Sequence, residues 1–119
     1  MHSCRVKGFR YGIGTNVSGS NMYITRQDIS RCGTGISVRA DGAMLDIDNI
    51  YSEDCWDAHI HVTAGEAYMA DAELCSPNTL SGIGIIAEGS AYVEAFGGTN
   101  LWSLDKNVRV QNDAELNCK

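Results

Sequence analysis

The 119-residue chain is long enough for one domain, and its apolar content of 44% is sufficient for a buried core. Its formal net charge of −6 opposes binding to the phosphates of a nucleic acid. No apolar run reaches the length of a membrane span and no signal-peptide core is evident, so we expect neither membrane insertion nor a nucleic-acid partner.

The first predicted repeat starts almost at once, where residues 4–6 lead into Phe9. Its apolar residues Ile13 and Met22 align with Ile36 and Leu45 of the next repeat, at an interval slightly shorter than the one that follows. Thirteen glycines and a single proline in the chain predict short strands joined by tight turns.

The predicted strands that follow recur at an interval of about 24 residues, which is within the range of known solenoid repeats. An apolar pair opens each repeat and aligns with the next: Ile36/Val38, Ile60/Val62, Gly84/Ile86 and Val108/Val110. Apolar and polar residues alternate in these strands, which is typical of strands with one buried side. A third apolar column precedes the pairs and reads Cys32, Trp56, Leu80 and Leu104.

A second strand follows in each repeat, in residues 43–47, 67–70 and 91–94, after turns that contain glycine. In one register Ala43, Leu45 and Ile47 point into the core, and in the opposite register they point outward. Self-similarity at this period predicts stacked units with a shared core. The predicted fold is all-β: one parallel β-solenoid domain over residues 1–119, with about five rungs spaced by about 4.8 Å.

The cysteines do not predict a metal site. There are five, and no C-x-x-C or His/Cys ligand spacing occurs. We expect free thiols in a reducing cytoplasm, and neither a metal nor another cofactor.

Two segments resemble a known family. Residues 8–13 (GFRYGI) and 32–38 (CGTGISV) look like rungs of the right-handed parallel β-helix proteins. This pectin-lyase-like group includes pectate-lyase-like enzymes and bacteriophage tailspikes. The chain is most similar to a tailspike segment. That resemblance implies a homotrimer, a host cell-surface polysaccharide as partner, and a place in the virion tail after assembly in the host cytoplasm. An extracellular location is the alternative.

The function that we expect is that of a structural, receptor-binding module of a tailspike-like or other surface fibre protein, which engages host glycan. The alternative is a fragment of a polysaccharide lyase or glycoside hydrolase on the same fold. No capping helix is evident at either end. We therefore expect a fragment of a longer chain, or ends that partners cover.

One predicted strand carries two histidines. His59 and His61 are expected to point outward on the same side, about 6.6 Å apart. Such a pair near Asp57 suits acid–base chemistry or cation binding, but no third ligand is evident and a solvated strand is the simpler interpretation. Arg109 shares the column of His61. All three are candidates for a glycan or subunit contact.

Asp46 and Glu94 are the candidate catalytic residues of the enzyme alternative. They are predicted in one column, about 9.6 Å apart over two rungs, with Ala70 between them. This separation is near the upper limit for an inverting carboxylate pair. With 15 acidic residues in the chain, such a pair also arises by chance.

A further predicted column reads Met44, Tyr68, Tyr92 and Leu116. Facing outward, it would form an apolar stripe suited to a subunit interface or to stacking on sugars. In the opposite register the same residues would belong to the core. Asp46 and Glu94, on the same side of the strands, favour the outward orientation.

Overall fold

The computed structural model describes residues 4–118, and this part of the chain is all-β, without a helix. Accordingly, none of its elements is a helix suited to crossing a membrane. The strands of the described range are β1 (Cys4–Lys7), β2 (Tyr11–Thr15), β3 (Asn21–Thr25), β4 (Gln27–Ser30), β5 (Thr34–Asp48), β6 (Tyr51–Glu53), β7 (Ala58–Ala70), β8 (Glu73–Cys75), β9 (Ile83–Ala87), β10 (Tyr92–Ala95), β11 (Asn100–Trp102), β12 (Lys106–Val110) and β13 (Glu115–Cys118).

The strands form three faces, and each turn of the chain contributes to all three. The first face consists of β1, β4, β6, β8 and β11 in that order. The second contains β2, the first part of β5, the first part of β7, β9 and β12. The third contains β3, the second parts of β5 and β7, β10 and β13. All the pairings are parallel, so the chain is a β-solenoid of about five turns, which confirms the predicted fold class.

The chain changes direction at residues with a left-handed backbone. Asn and Gly adopt this conformation more readily than most residues, which explains their enrichment at the corners. From the second to the third face, the corner residues are Gly19, Gly42, Gly65, Gly89 and Asn112; from the third to the first they are Arg26, Asn49, Asp71 and Gly98.

Inward-facing columns of apolar side chains form the core. Ala43, Leu45 and Ile47 are at most 2% exposed, so the register that places them inside the solenoid is the one observed. Neighbouring rungs add Ile60 and Val62, which are completely buried. Because each core residue lies against its counterparts in adjacent rungs, the core is continuous along the solenoid.

The step from one rung to the next varies along the chain. On the second face, the residues that pair in succession are Ile13, Ile36, Ile60, Ile85 and Val108. The number of residues between paired positions therefore increases up to Ile85 and then decreases. On the third face, Leu45, Ala67, Val93 and Leu116 pair in succession, with a short step from β5 to β7 and a long one from β7 to β10.

The predicted constant alignment is therefore wrong in places. Ile85, not Gly84, follows Ile60 in the column of the second face. The longer loop 76–82 and the short connection after Val62 cause these shifts.

The predicted third apolar column is also wrong. Trp56 and Leu80 are 50% and 66% exposed, whereas Cys32 is completely buried. Cys55, not Trp56, takes the buried position in the next rung, and the amide of Trp56 donates to the carbonyl oxygen of Cys32 at 3.1 Å. This shift by one position turns the ring of Trp56 outward.

Candidate functional site

A groove of about 500 Å³ lies on the outside of the second face. Two aromatic side chains line it, Tyr11 and Trp56, and they are 45% and 50% exposed. Exposed large aromatic rings in a concave site are typical of ligand-binding surfaces. The polar side chains of the groove are Thr34, Arg39, Asp57, His61, Thr63, Asp105 and Arg109.

Backbone hydrogen bonds between rungs position the loops that carry these side chains. The amide of Asp57 donates to the carbonyl oxygen of Gly33 at 2.9 Å. The amide of Asp105 donates to the carbonyl oxygen of Gly82 at 3.0 Å. The parallel pairing thus extends beyond the strand ends, and the groove wall has a fixed backbone.

Two arginines surround the ring of Tyr11. The guanidinium carbon of Arg39 lies 4.1 Å from the ring centroid, and that of Arg10 lies 5.7 Å from it. Both distances are within the range of a cation–π contact. A hydrogen bond from Arg10 and the charge of Arg39 lower the pKa of the Tyr11 hydroxyl. This corner of the groove is positively charged in a chain of negative net charge.

The other end of the groove carries His61 and Arg109, which lie in one outward column with Ser37 and Ile86. Nε2 of His61 is 3.0 Å from Oε1 of Glu88. Nε of Arg109 is buried and has no hydrogen-bond acceptor among the described residues. The groove therefore offers hydrogen-bond donors and acceptors beside its aromatic walls.

The outward orientation predicted for His59 is wrong. Its side chain is completely buried inside the solenoid. The counterparts of His59 in the neighbouring rungs are Gly35 and Gly84, so the imidazole fills space that these glycines leave inside the solenoid. A metal shared by His59 and His61 is excluded, because the two side chains lie on opposite sides of the solenoid wall.

His59 is part of a buried polar network. Its Nδ1 is 2.6 Å from Oγ of Ser52, and its Nε2 is 3.0 Å from Oγ of Ser76. Desolvation lowers the pKa of His59 to about 4, and the charge of Asp54 opposes this only in part. His59 is therefore a neutral structural residue at pH 7 and not a surface contact.

Tyr68 and Tyr92 face outward, but the predicted apolar stripe does not form. In the observed register Met44 pairs with Glu66 and Glu66 with Tyr92, while Leu116 packs against the core. The two tyrosine rings still meet, at a centroid distance of 6.0 Å. Carboxylates thus interrupt the aromatic surface. The cause is the step from β5 to β7 on this face, which contains fewer residues than the predicted repeat.

Asp46 and Glu94 do share an outward column two rungs apart, with Tyr68 between them. The expectation of Ala70 in the middle position is wrong. Tyr92 donates a hydrogen bond to Glu94 at 3.1 Å, and Tyr68 donates one to Glu66 at 3.0 Å. The shared column is present, and a tyrosine ring occupies the space between the two carboxylates.

Most residues of the groove do not follow from the sequence pattern. The pattern places Trp56 in an apolar column and gives no signal that Tyr11, Arg39 and Asp105 belong to a site. Of the residues predicted for a glycan or subunit contact, only His61 and Arg109 lie in the groove. The interval from Cys32 to Cys55 equals that from Ile13 to Ile36, and this equality is the signal that would have placed Trp56 outside.

Within residues 4–118, no group of three or more histidine, cysteine, aspartate or glutamate side chains is arranged to hold a metal ion. No family model matches the chain, and neither a curated protein nor a solved structure matches it.

Proposed function

We propose that this β-solenoid is a structural, receptor-binding module that engages a cell-surface glycan through the groove on its second face. The observation that carries the proposal is the presence of two exposed rings, Trp56 and Tyr11, in one groove with charged and hydroxyl side chains. The apolar faces of sugar rings pack on aromatic side chains, and sugar hydroxyls both donate and accept hydrogen bonds. Arg39, Asp57 and Arg109 supply the complementary groups.

The fold supports this role. Strands on both sides hold the central rungs of the groove, so little backbone freedom is lost when a ligand binds. A groove that crosses several rungs also suits an extended polymer more than a compact small molecule. Its lining residues span from Tyr11 in the first rung to Arg109 in the last described rung.

The wider identity that we propose is a segment of a tailspike-like or other surface fibre protein. It rests on the resemblance of residues 8–13 and 32–38 to right-handed parallel β-helix proteins. The same resemblance implies a homotrimer and a place in the virion tail, with an extracellular location as the alternative.

Light scattering tests the trimer: we expect three times the 12.9 kDa mass of one chain, and the mass of a single chain would contradict it. Glu66 and Glu94 beside Tyr68 and Tyr92 remove the reason to place its interface on the third face.

A binding screen tests the glycan proposal. The chain is applied to a panel of bacterial surface polysaccharides, together with the variants Trp56→Ala and Trp102→Ala. Trp102 is the matched control, because it is 41% exposed but lies on the first face, where its indole donates to Glu73 at 3.0 Å. We expect Trp56→Ala to weaken binding by about tenfold or more and Trp102→Ala to leave it unchanged. Equal effects of the two variants, or no binding to any polysaccharide, would contradict the proposal.

The second candidate function is cleavage of a polysaccharide on the third face. The shared column of Asp46 and Glu94, about 9.6 Å apart over two rungs, favours it. The release of reducing ends from the same polysaccharide panel is the measurement. An enzyme would show turnover that Asp46→Asn and Glu94→Gln abolish, whereas a binding module would show none.

A further inference from the structure

A second cleft, of about 350 Å³, lies on the outside of the third face, away from the groove. Three aromatic side chains and two carboxylates line it, and the remainder of its lining is apolar. The residues used below are Tyr23, Asp46, Asp48, Tyr68, Ala70 and Phe96.

The register places two of the rings on either side of a carboxylate. Tyr23 pairs with Asp46, and Asp46 pairs with Tyr68, so the three residues form one outward column over three rungs. With about 4.8 Å between strands, the two tyrosines are about 9.6 Å apart along the column. A cation held above Asp46 would lie about 4.8 Å from each of them along the column, within the cation–π range of about 6 Å.

The neighbouring column completes the cleft. Asp48 pairs with Ala70, and the amide of Phe96 donates to the carbonyl oxygen of Met69 at 2.8 Å, which places Phe96 beside Ala70 in the next rung. The small side chain of Ala70 leaves the cleft open between Asp48 and Phe96. Phe96 is 39% exposed and Tyr23 is 54% exposed, so both rings are accessible to a ligand.

The outward strand positions of the third face carry charges of one sign, and Arg26 lies at the corner beside Tyr23 and Asp48. Among the described residues, these outward positions hold no lysine or arginine, and they carry the acidic residues Asp46, Asp48, Glu66, Glu94 and Glu115. A surface of this kind concentrates cations. The hydrogen bond from Tyr68 to Glu66 and the contact of Tyr68 with Tyr92 also fix the orientation of the central ring.

We propose that this cleft binds a quaternary ammonium group. Aromatic rings around a cation are typical of quaternary ammonium sites, because such a cation is bulky, weakly hydrated and covered with methyl groups that pack on apolar surface. A metal ion is the wrong ligand, since within the described residues no three acidic or histidine side chains are arranged to coordinate one. The site is independent of the groove on the second face.

The test is an NMR titration of the whole chain with choline and with 3,3-dimethylbutan-1-ol, which has the same shape and no charge. We expect choline to shift the amide signals of residues 46–48 and 68–70 with saturation, and the neutral alcohol to cause no saturating shifts. Phosphocholine should bind more weakly than choline, because the carboxylates repel its phosphate. Equal binding of choline and the alcohol would show an apolar cleft without cation recognition and would overturn the proposal.

Two variants of one residue type make the assignment specific. Phe96→Leu removes a wall of the cleft, whereas Phe9→Leu removes another exposed phenylalanine, which is 59% exposed and does not line the cleft. We expect Phe96→Leu and Asp46→Asn each to weaken choline binding by about fivefold, and Phe9→Leu to leave it unchanged. Equal affinities of the Phe96 and Phe9 variants would contradict the site. A failure here leaves the glycan screen of the Trp56 variant unaffected.

Discussion

His59 illustrates how a polar residue is retained inside an apolar solenoid. Ser52 lies in an inward column of the first face, between Ile29 and Leu74, where an apolar side chain would be expected. Its hydroxyl and that of Ser76 satisfy the two ring nitrogens of His59. A buried polar group with all its partners costs little, but a charge at the same position would be expensive.

This burial predicts a dependence of stability on pH. The pKa of His59 is about 4 in the folded chain, against an ordinary value of 6.5, so the unfolded chain binds the proton first. Stability is therefore complete above pH 6.5 and declines as the pH falls towards 4. We expect a loss of about 2 kcal/mol between pH 7 and pH 5 from this residue.

Urea unfolding at the two pH values measures this loss in wild type, His59→Gln and His61→Gln. The His59 variant should lose the dependence, since glutamine does not titrate. The His61 variant should retain it, because His61 lies at the surface beside Glu88. A dependence that persists in His59→Gln would assign it to other groups.

Asp54 stabilises the loop 76–82. It is 3% exposed, and its carboxylate accepts hydrogen bonds from the amide of Asn78 at 3.1 Å and from its side chain at 2.7 Å. Burial by itself would raise the pKa of Asp54, but the hydrogen bonds from Asn78 and Thr79 outweigh it and lower that pKa. The stabilisation is thus present above the ordinary pKa and is lost as the pH falls through the lowered value.

We expect Asp54→Asn to lower the free energy of unfolding by about 1–3 kcal/mol at pH 7, because an amide donor then faces the side-chain amide of Asn78. Asp71→Asn is the matched control. Asp71 has the same left-handed backbone, with φ of 51° against 54°, but an exposed side chain. Similar losses in the two variants, measured by urea unfolding, would show that the corner conformation and not the loop contact is responsible.

Position 35 requires a glycine, because the backbone of the next rung approaches Gly35 closely. A Cβ atom at this position would lie 2.6 Å from the carbonyl oxygen of His59 and 3.2 Å from Oγ of Ser52. We expect Gly35→Ala to destabilise the chain by about 1–3 kcal/mol, because a backbone atom must move. Gly97→Ala, where a Cβ meets no atom within 4 Å, should change stability by less than about 0.5 kcal/mol in the same unfolding assay. Equal stabilities of the two variants would contradict the tight packing.

The fold could be predicted from the sequence because its strands obey simple alternation. Leu45 and Ile47 are buried, whereas Asp46 between them is half-buried and points outward, and this pattern recurs in successive rungs. The turns also contain glycine where the backbone is left-handed, as at Gly42 and Gly65. These signals are local, so a single sequence carries them.

The sites could be predicted less well, because they depend on the register between rungs. A shift by one position moves a side chain to the other side of a strand, and the loops 76–82 and 96–99 introduce such shifts. The step from Cys32 to Cys55 is one residue shorter than the predicted 24 and places Trp56 outside, whereas His59 lies inside the solenoid in space that Gly35 and Gly84 leave. Insertions in loops change the register without altering the strand pattern, so a constant period cannot detect them.

The stability of each rung depends on the rungs that lie on either side of it. The core residues of β7, such as Ile60 and Met69, are completely buried between rungs, whereas Val108 and Val110 of β12 are 44% and 45% exposed. Stability in a solenoid is a sum of rung and interface contributions. We expect hydrogen–deuterium exchange to be slowest for the amides of β7 and fastest for those of β12. Equal protection in the two strands would show that the described chain opens only as one unit.

Glycan binding by the second face of this solenoid is the proposal on which the functional assignment depends. The most direct test is the map of NMR shift changes on addition of the polysaccharide that binds best in the screen. We expect the largest changes at the indole signal of Trp56 and at the amides of residues 57, 61 and 109, with the indole signal of Trp102 unchanged. Changes confined to the first or third face, with the Trp56 signal unaffected, would contradict it.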